Sequence, residues 1–351
     1  MLRRTGGIWP QRMASLFSAP EDSEVIKMKR RKRFSWKKFM GFVGFNIVFA
    51  ALLAPFIVFY GPFQALKVMA VGSIALSRHP QVVRAFLSQA EIDKITHEYD
   101  ALGVNTQAKI VSQQVTNGSD NGIKIQNIQG QSFRGKVMLI KNPKRIKVAV
   151  TNQVGTAGEL LTHLVQQSGA VAGINAGGFN GPSWGGSGGS PEGLTVHAGK
   201  IVCNDIGNKK AEELIGINDQ GKLVIDPMSA DELAAHHIQE AVTFCGPTLV
   251  ADGKPVVAGD GGIGIAPRTG IGQTADGTII FVVIDGRQPT WSWGATARQL
   301  MNVFLQYHAV NAVNLDGGSS SEMVYQGKIV NHLWDIFPER YIPTAFVVMP
   351  K

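Results

Sequence analysis

Four segments of this chain share one design. Each is an apolar, strand-like run closed by a turn of small residues that carries one or two polar groups. "GINAGGFN" holds Asn175, Gly177 and Gly178; "APRTGIG" holds Arg268; "VVIDGRQP" sets Asp285 and Arg287 on either side of Gly286; and "NLDGGSSSEM" holds Asp316, Gly317, Gly318, Ser319 and Glu322. Taken singly, each is an ordinary turn, because Asp-Gly and Asn-Gly are common turn dipeptides. Taken together, the four could converge on one ligand. Phosphate recognition needs guanidinium groups and free backbone N–H groups, which Arg268, Arg287 and the Gly-Ser turn supply. Sugar recognition needs planar polar groups beside aromatic faces, and Phe179, Trp184, Trp291 and Trp293 lie in or near these loops. Gly177 and Gly178 let backbone approach a neighbour closely.

The elements that would position these groups are short. From residue 122 onward β-rich runs recur, among them "GKVMLI", "RIKVAV", "GLTVHAGKIV", "GTIIFVVI" and "TAFVVM". Ala251-Asp252-Gly253-Lys254 and Gln326-Gly327-Lys328 read as hairpin connections. Two helices interrupt the strands. One is expected over 156–169, with Gly169 as its stop. The other is expected over 294–309, with Leu300, Val303, Phe304 and Tyr307 on one face. Each helix feeds an apolar strand that ends in Asn or Asp-Gly. The expected class is therefore α+β: a mixed, strand-rich single catalytic domain with a few helices, preceded by one transmembrane helix.

Charge separates that domain from what precedes it. The chain has 351 residues and a net charge of +8. Eleven of its 34 Lys and Arg fall in residues 1–38, so the remainder is neutral. The basic balance thus describes a tail, not a nucleic-acid-binding body. No charge occurs from Phe39 through Leu66. About 20 apolar residues span a bilayer as a helix, and a basic N-terminal flank predicts that this flank stays in the cytoplasm. A cleaved signal peptide, with a site at 73–75, is the alternative. A buried core helix fits poorly, because the run is apolar on every face. The layout is read as a basic cytoplasmic tail (1–38), a transmembrane anchor (39–62), a helical stalk and linker (63–121) and the catalytic domain (122–351). In the stalk, Val82, Val83, Phe86 and Leu87 form an apolar stripe, and residues 100–121 read as polar linker.

Cys203 and Cys245 each sit in a strand-like run. They could pair on the outer side of a membrane or serve as small buried hydrophobes, and no zinc spacing is present. His236-His237 reads as an exposed helix end.

The motifs "INAGGFN", "CGPTLVADGKPVV", "PRTGIG", "VVIDGR", "NLDGGSSSEM" and "ERYIPTAFVV" follow one another over residues 125–350 in an order that resembles the phosphodiester glycosidase domain family. That domain occurs in the lysosomal enzyme that uncovers mannose 6-phosphate and in bacterial proteins associated with exopolysaccharide. The resemblance implies cleavage of the glycosidic bond of a sugar-1-phosphodiester, with a phosphate monoester as leaving group. It implies that Arg268 holds phosphate and that Asp316 acts at the sugar as base, nucleophile or electrostatic stabiliser. Asn175, Gly177, Gly178, Asp285, Arg287, Gly317, Gly318 and Ser319 would bind and position the substrate. The chain departs from the family in Ser319, which stands where a third glycine is common. It departs again in Glu322, which replaces a small hydroxyl residue and offers a second catalytic carboxylate. The resemblance names no cofactor and leaves room for a divalent cation. The implied protein is a single-pass membrane hydrolase whose main domain lies outside the cell and acts on cell-wall or exopolysaccharide material. The alternatives are a sugar-phosphate-binding module without turnover and a structural partner of a polysaccharide assembly.

Overall fold

The computed structural model of the chain describes residues 35–62, 67, 70–71, 81–95, 111–114, 122–180, 188–288, 290–333 and 339–351. The basic tail before Ser35, the cleavage site at 73–75, the turn signal Asn117-Gly118 and Trp184 lie outside them.

Strands are numbered along the chain. An eight-stranded sheet runs in the order β1 (Val111–Gln114), β2 (Ile123–Gln129), β3 (Arg134–Ile140), β16 (Ile279–Ile284), β15 (Arg268–Thr274), β17 (Ala309–Asn314), β13 (Thr248–Ala251), β14 (Lys254–Pro255). A five-stranded sheet runs β19 (Lys328–Ile329), β18 (Met323–Tyr325), β5 (Ala172–Asn175), β20 (Thr344–Val348), β4 (Ile146–Val150). A second five-stranded sheet runs β11 (Leu223–Met228), β10 (Glu212–Asn218), β12 (Ile238–Thr243), β8 (Leu194–His197), β9 (Lys200–Asn204). A short ribbon pairs β6 (Phe179–Asn180) with β7 (Ser190–Pro191). Every named strand pairing is antiparallel. The class is the expected strand-rich α+β.

The three large sheets share one core. Ile125, Met138, Ile271, Phe281 and Val313 of the first meet Ile174, Met323 and Phe346 of the second and Ile215, Ile217 and Val242 of the third. A strand buried on both faces reads as an unbroken apolar run, and β16, "IIFVVI", is buried at every position. Its outer face packs under the helix Ala297–Gln306, through Leu300, Met301, Val303 and Phe304. That helix begins later than expected, because Thr296 and Gln299 form a capping box: Thr296 N donates to Gln299 Oε1 at 2.9 Å, and Gln299 N donates to Thr296 Oγ1 at 3.2 Å. The other expected helix is shorter, Leu161–Gln167. Glu159 and Ile342 exchange two backbone hydrogen bonds at 2.9 Å, which holds the preceding residues extended. Gly169 ends the helix at φ +67°, as its sequence position predicts.

Hairpin chemistry is obeyed locally. Asp252-Gly253 and Gln326-Gly327 have positive φ at both positions, matching the twist of two-residue hairpins. The run "GLTVHAGKIV" is two strands, because Ala198 and Gly199 turn in the same way. In the region read as polar linker, Val111–Gln114 pairs with β2, an edge pairing whose short polar sequence gave no periodic signal. In the segment read as a stalk, Val83, Leu87, Ile92 and Ile95 are buried with Phe59 and Val71, whereas Val82 is exposed. The apolar segment forms the 25-residue helix Trp36–Tyr60, long and apolar enough to cross a membrane.

Candidate active site

Antiparallel register brings the four segments to one end of the sheets. Arg268 opens β15 opposite Ile284, so Asp285 and Arg287 emerge beside it. Gly270 pairs with Asn314, so Asp316 emerges at the same end of β17. Asn175 ends β5 and joins these loops. Its Nδ2 donates to Asp316 O at 2.6 Å, and its Oδ1 accepts from Thr269 Oγ1 at 2.7 Å and Glu322 N at 3.2 Å. It is almost fully buried. Asn175 is thus a three-way tie inside the protein.

Asp316 is half-buried, and Gly317 N donates to its Oδ1 at 3.0 Å. Gly317 passes so close to Pro267 O that a Cβ there would lie 2.9 Å away. Gly318 has φ +63°, and a Cβ on it would sit 3.3 Å from Arg287 Nη2. Glycine is therefore needed here for conformation and for the approach of a guanidinium. Arg287 Nη1 donates to Ser319 Oγ at 3.3 Å. Arg287 itself has φ +62°, a conformation sparsely populated by non-glycine residues that clusters at functional sites. Burial and then the neighbouring Arg340 lower its affinity for a proton, while Asp316 opposes them.

Arg340 lies in the last motif, "ERYIPTAFVV", where no turn or periodicity marks it. Its guanidinium stands 4.9 Å above the ring of the buried Phe179. It lies close enough to Arg287 to act on its charge, and Arg287 in turn lies close to Asp316.

Arg268 is buried, and its guanidinium donates to Ala295 O at 2.9 Å, to Ile263 O at 2.6 Å and to Gly264 O. Burial, with repulsion from Arg287, pushes its pKa down to about 10, and Asp260 opposes the fall. Asp285 is also buried. It accepts from Trp291 Nε1 at 2.9 Å, His332 N at 3.0 Å and Asn331 Nδ2 at 3.2 Å. Burial raises its pKa, and these donors counter the rise. Arg268 and Asp285 thus brace the loops from behind, while Asp316, Arg287 and Ser319 stand in front.

Glu322 is buried, with Glu339 near enough to act on its carboxyl. Its Oε1 is buried and unpartnered, as are the hydroxyls of Ser320 and Ser321. Burial first, then Glu339, pushes the Glu322 pKa up to about 9.

The glycines of the first loop approach protein. Gly177 N donates to Thr344 Oγ1 at 3.2 Å, and a Cβ on Gly178 would lie 2.4 Å from Glu192 Oε2. Trp291 and Trp293 are exposed, and Arg134 stands 4.2 Å from the Trp291 ring centroid. Cys203 and Cys245 are free thiols. Among the described residues no three His, Cys, Asp or Glu side chains come together as a metal site.

Comparison with known proteins bears on this arrangement. Over 70% of this chain, the fold matches 83% of the zebrafish N-acetylglucosamine-1-phosphodiester alpha-N-acetylglucosaminidase catalytic domain, at TM-score 0.52 and 20% identity. It also matches 68% of a hypothetical protein from Synechocystis, at TM-score 0.51 and 16% identity, again over 70% of this chain. These likenesses concern the fold. An uncharacterised SPbeta prophage-derived protein of Bacillus subtilis, YomE, is 29% identical over 204 residues, and this chain spans 30% of its length. Residues 168–349, which carry every loop described above, match the phosphodiester glycosidase family, and the chain belongs to that family.

Proposed function

We propose that this protein is a membrane-anchored hydrolase that cleaves the glycosidic bond of a sugar-1-phosphodiester outside the cytoplasm, in cell-wall or exopolysaccharide material. The observation that carries the reading is the half-buried Asp316 carboxylate set beside Arg287, with Arg340 close by. A phosphodiester carries one negative charge and leaves as a phosphate monoester, so it needs cations at phosphate and a carboxylate at the anomeric carbon.

In this reading Arg287 and Arg340 receive the phosphate, and Arg268 adds positive charge from behind. The Ser319 hydroxyl, beside Arg287, completes the anion cradle; the Gly317 and Gly318 N–H groups are taken up by Asp316 Oδ1 and Pro267 O. Asp316 acts at the anomeric carbon. The C1–O bond breaks with its electron pair going to the phosphate oxygen, and water supplies hydroxide to C1 and a proton to the medium. The leaving group is a weak base, so the step draws little on acid assistance. Asn175 and Asp285 act through the loops that they fix. The helix Trp36–Tyr60, uncharged from Phe39 onward, is the anchor, with the eleven basic residues of 1–38 on the cytoplasmic side.

The test is kinetic, on the full-length protein in detergent. The panel consists of hexose and N-acetylhexosamine 1-phosphate methyl diesters, the latter suggested by the name of the zebrafish relative. Turnover should appear with at least one diester, and Asp316→Asn should lower kcat about a thousandfold, in the range for losing one preorganised electrostatic group. Binding of a diester without turnover would identify a binding module instead.

A further inference from the structure

We infer that Trp293 and Trp291 form a subsite for a second sugar, the one esterified to the far side of the phosphate, so that the group released with the phosphate is itself a glycosyl unit. The inference deepens the hydrolase reading and rests on its assignment of Arg287 to the phosphate.

The backbone places the two rings beside that arginine. Gln288 and Ser292 pair as an antiparallel bridge, and one step away from the turn Arg287 N donates to Trp293 O at 3.0 Å. Trp293 therefore stands opposite Arg287 on the neighbouring stretch of chain, and Trp291 lies two residues nearer the tip of the same turn. The tryptophans continue a row of groups that passes from Ser319 to Arg287 through the bond between their side chains.

The turn is held rigidly. Trp291 Nε1 donates to the buried Asp285 at 2.9 Å, and the Arg134 guanidinium stands 4.2 Å from its ring centroid. Trp293 N donates to Ser132 O at 2.9 Å. Ser292 Oγ accepts from Arg134 N at 3.0 Å and donates to Asp285 O at 2.6 Å. Gln288 Nε2 ties the turn to Leu333 O at 2.9 Å. In spite of this bracing Trp291 is 41% and Trp293 36% exposed. Fixed rings lose little freedom on binding, so apolar surface presented in this way is prepared for a ligand.

The chemistry of the patch selects the occupant. A pyranose has an apolar face of C–H groups and a rim of hydroxyls. The face suits an indole, and the rim suits hydrogen-bond donors beside it, which the Arg134 guanidinium supplies. A lipid tail or apolar side chain would cover that cation without pairing it, at a cost. A methyl or ethyl group is too small to cover two indoles. In the hydrolytic step the C1–O bond breaks and the phosphate oxygen keeps the electron pair, while water supplies hydroxide to C1. The P–O bond to the second sugar is untouched, so the products are a free sugar and a sugar phosphate monoester. The substrate class is thus two sugars joined through a phosphodiester.

The experiment uses the full-length protein in detergent and two diesters of the same hexose 1-phosphate. One carries methyl, and the other carries methyl glucoside joined through its 6-hydroxyl. Wild type should favour the glycosyl diester about tenfold in kcat/KM, the scale of a well-packed indole contact. In Trp293→Ala the preference should fall to about twofold. Both rates come from one preparation, so any loss of folded protein cancels from the ratio. Trp293→Leu keeps apolar bulk without a flat ring, and it serves with the same expected fall where the alanine variant does not fold. A wild-type ratio near one would overturn the subsite, and so would an unchanged ratio in the variant. Turnover of the methyl diester in either case leaves the hydrolase reading standing.

A second readout needs no turnover. By calorimetry, methyl glucoside 6-phosphate should bind wild type about tenfold more tightly than methyl phosphate, and Trp293→Ala should remove most of the difference. Equal binding of the two phosphates by wild type would overturn the subsite. Selective binding without turnover of either diester would remove the hydrolase reading and leave the subsite in place. A defect of Trp293→Ala confined to protein in phosphatidylcholine vesicles would assign the tryptophans to lipid contact and overturn the subsite.

Discussion

Asn175 Nδ2 donates to the main-chain carbonyl of Asp316 at 2.6 Å, so a residue at the end of one sheet sets the loop that leaves another. The same amide takes up Thr269 Oγ1 and Glu322 N. Asn175→Ala would leave these buried groups unpaired, at about 1–3 kcal/mol each. Urea denaturation should show a loss of about 3 kcal/mol in all. The surviving fold should lose about 100-fold in kcat, since small misplacements of a reacting group are that costly. An unaltered midpoint would mean that the tie is incidental.

The arginines should separate by role. Arg287→Lys removes a planar fork and leaves a point charge, so KM for the diester should rise about tenfold with little loss of stability. Arg268→Lys breaks bonds to Ala295, Ile263 and Gly264 carbonyls, so its first effect should be on stability, by about 2 kcal/mol. Thermal melts and kinetics on both variants distinguish the two. Equal loss of stability in both would contradict the assignment.

Gly270 and Gly272 in "PRTGIG" have a structural use. A Cβ on Gly272 would lie 2.7 Å from the Phe304 ring, and one on Gly270 would lie 2.8 Å from it. Gly272→Ala should cost about 2 kcal/mol by overpacking and leave kcat/KM unchanged at temperatures where the protein is folded. A kinetic defect without a stability defect would place this glycine in the site.

What could be read from sequence was local. Hairpins at Asp252-Gly253 and Gln326-Gly327 were legible because both positions demand positive φ. The stripe Leu300, Val303, Phe304 located its helix, and the unbroken β16 run declared a central strand. The capping pair Thr296 and Gln299 is also visible in sequence, and would have set that helix start correctly. Long-range facts were not legible. The carbonyls that engage Arg268 belong to a loop and a turn whose paths no periodicity records. Arg340 stood in a motif, but only its approach to Phe179 and Arg287 gives its charge a purpose. The 111–114 pairing was hidden by its polar composition.

Topology has its own check. The basic residues up to Lys38, followed by a run without charge from Phe39 through Leu66, predict an N-inside orientation. Protease added to intact cells should remove the C-terminal domain. Full protection of a C-terminal tag would reverse the orientation.

The central claim is that a glycosidic bond breaks at the anomeric carbon beside Asp316, and the most direct measurement is the fate of solvent oxygen. Full-length protein should turn over the best methyl diester in H₂¹⁸O, with both products analysed by mass spectrometry. The account predicts one ¹⁸O in the released sugar and none in methyl phosphate, with the reaction nearly abolished in Asp316→Asn. Label in the phosphate product would show P–O cleavage and contradict the account, as would full-rate turnover by Asp316→Asn.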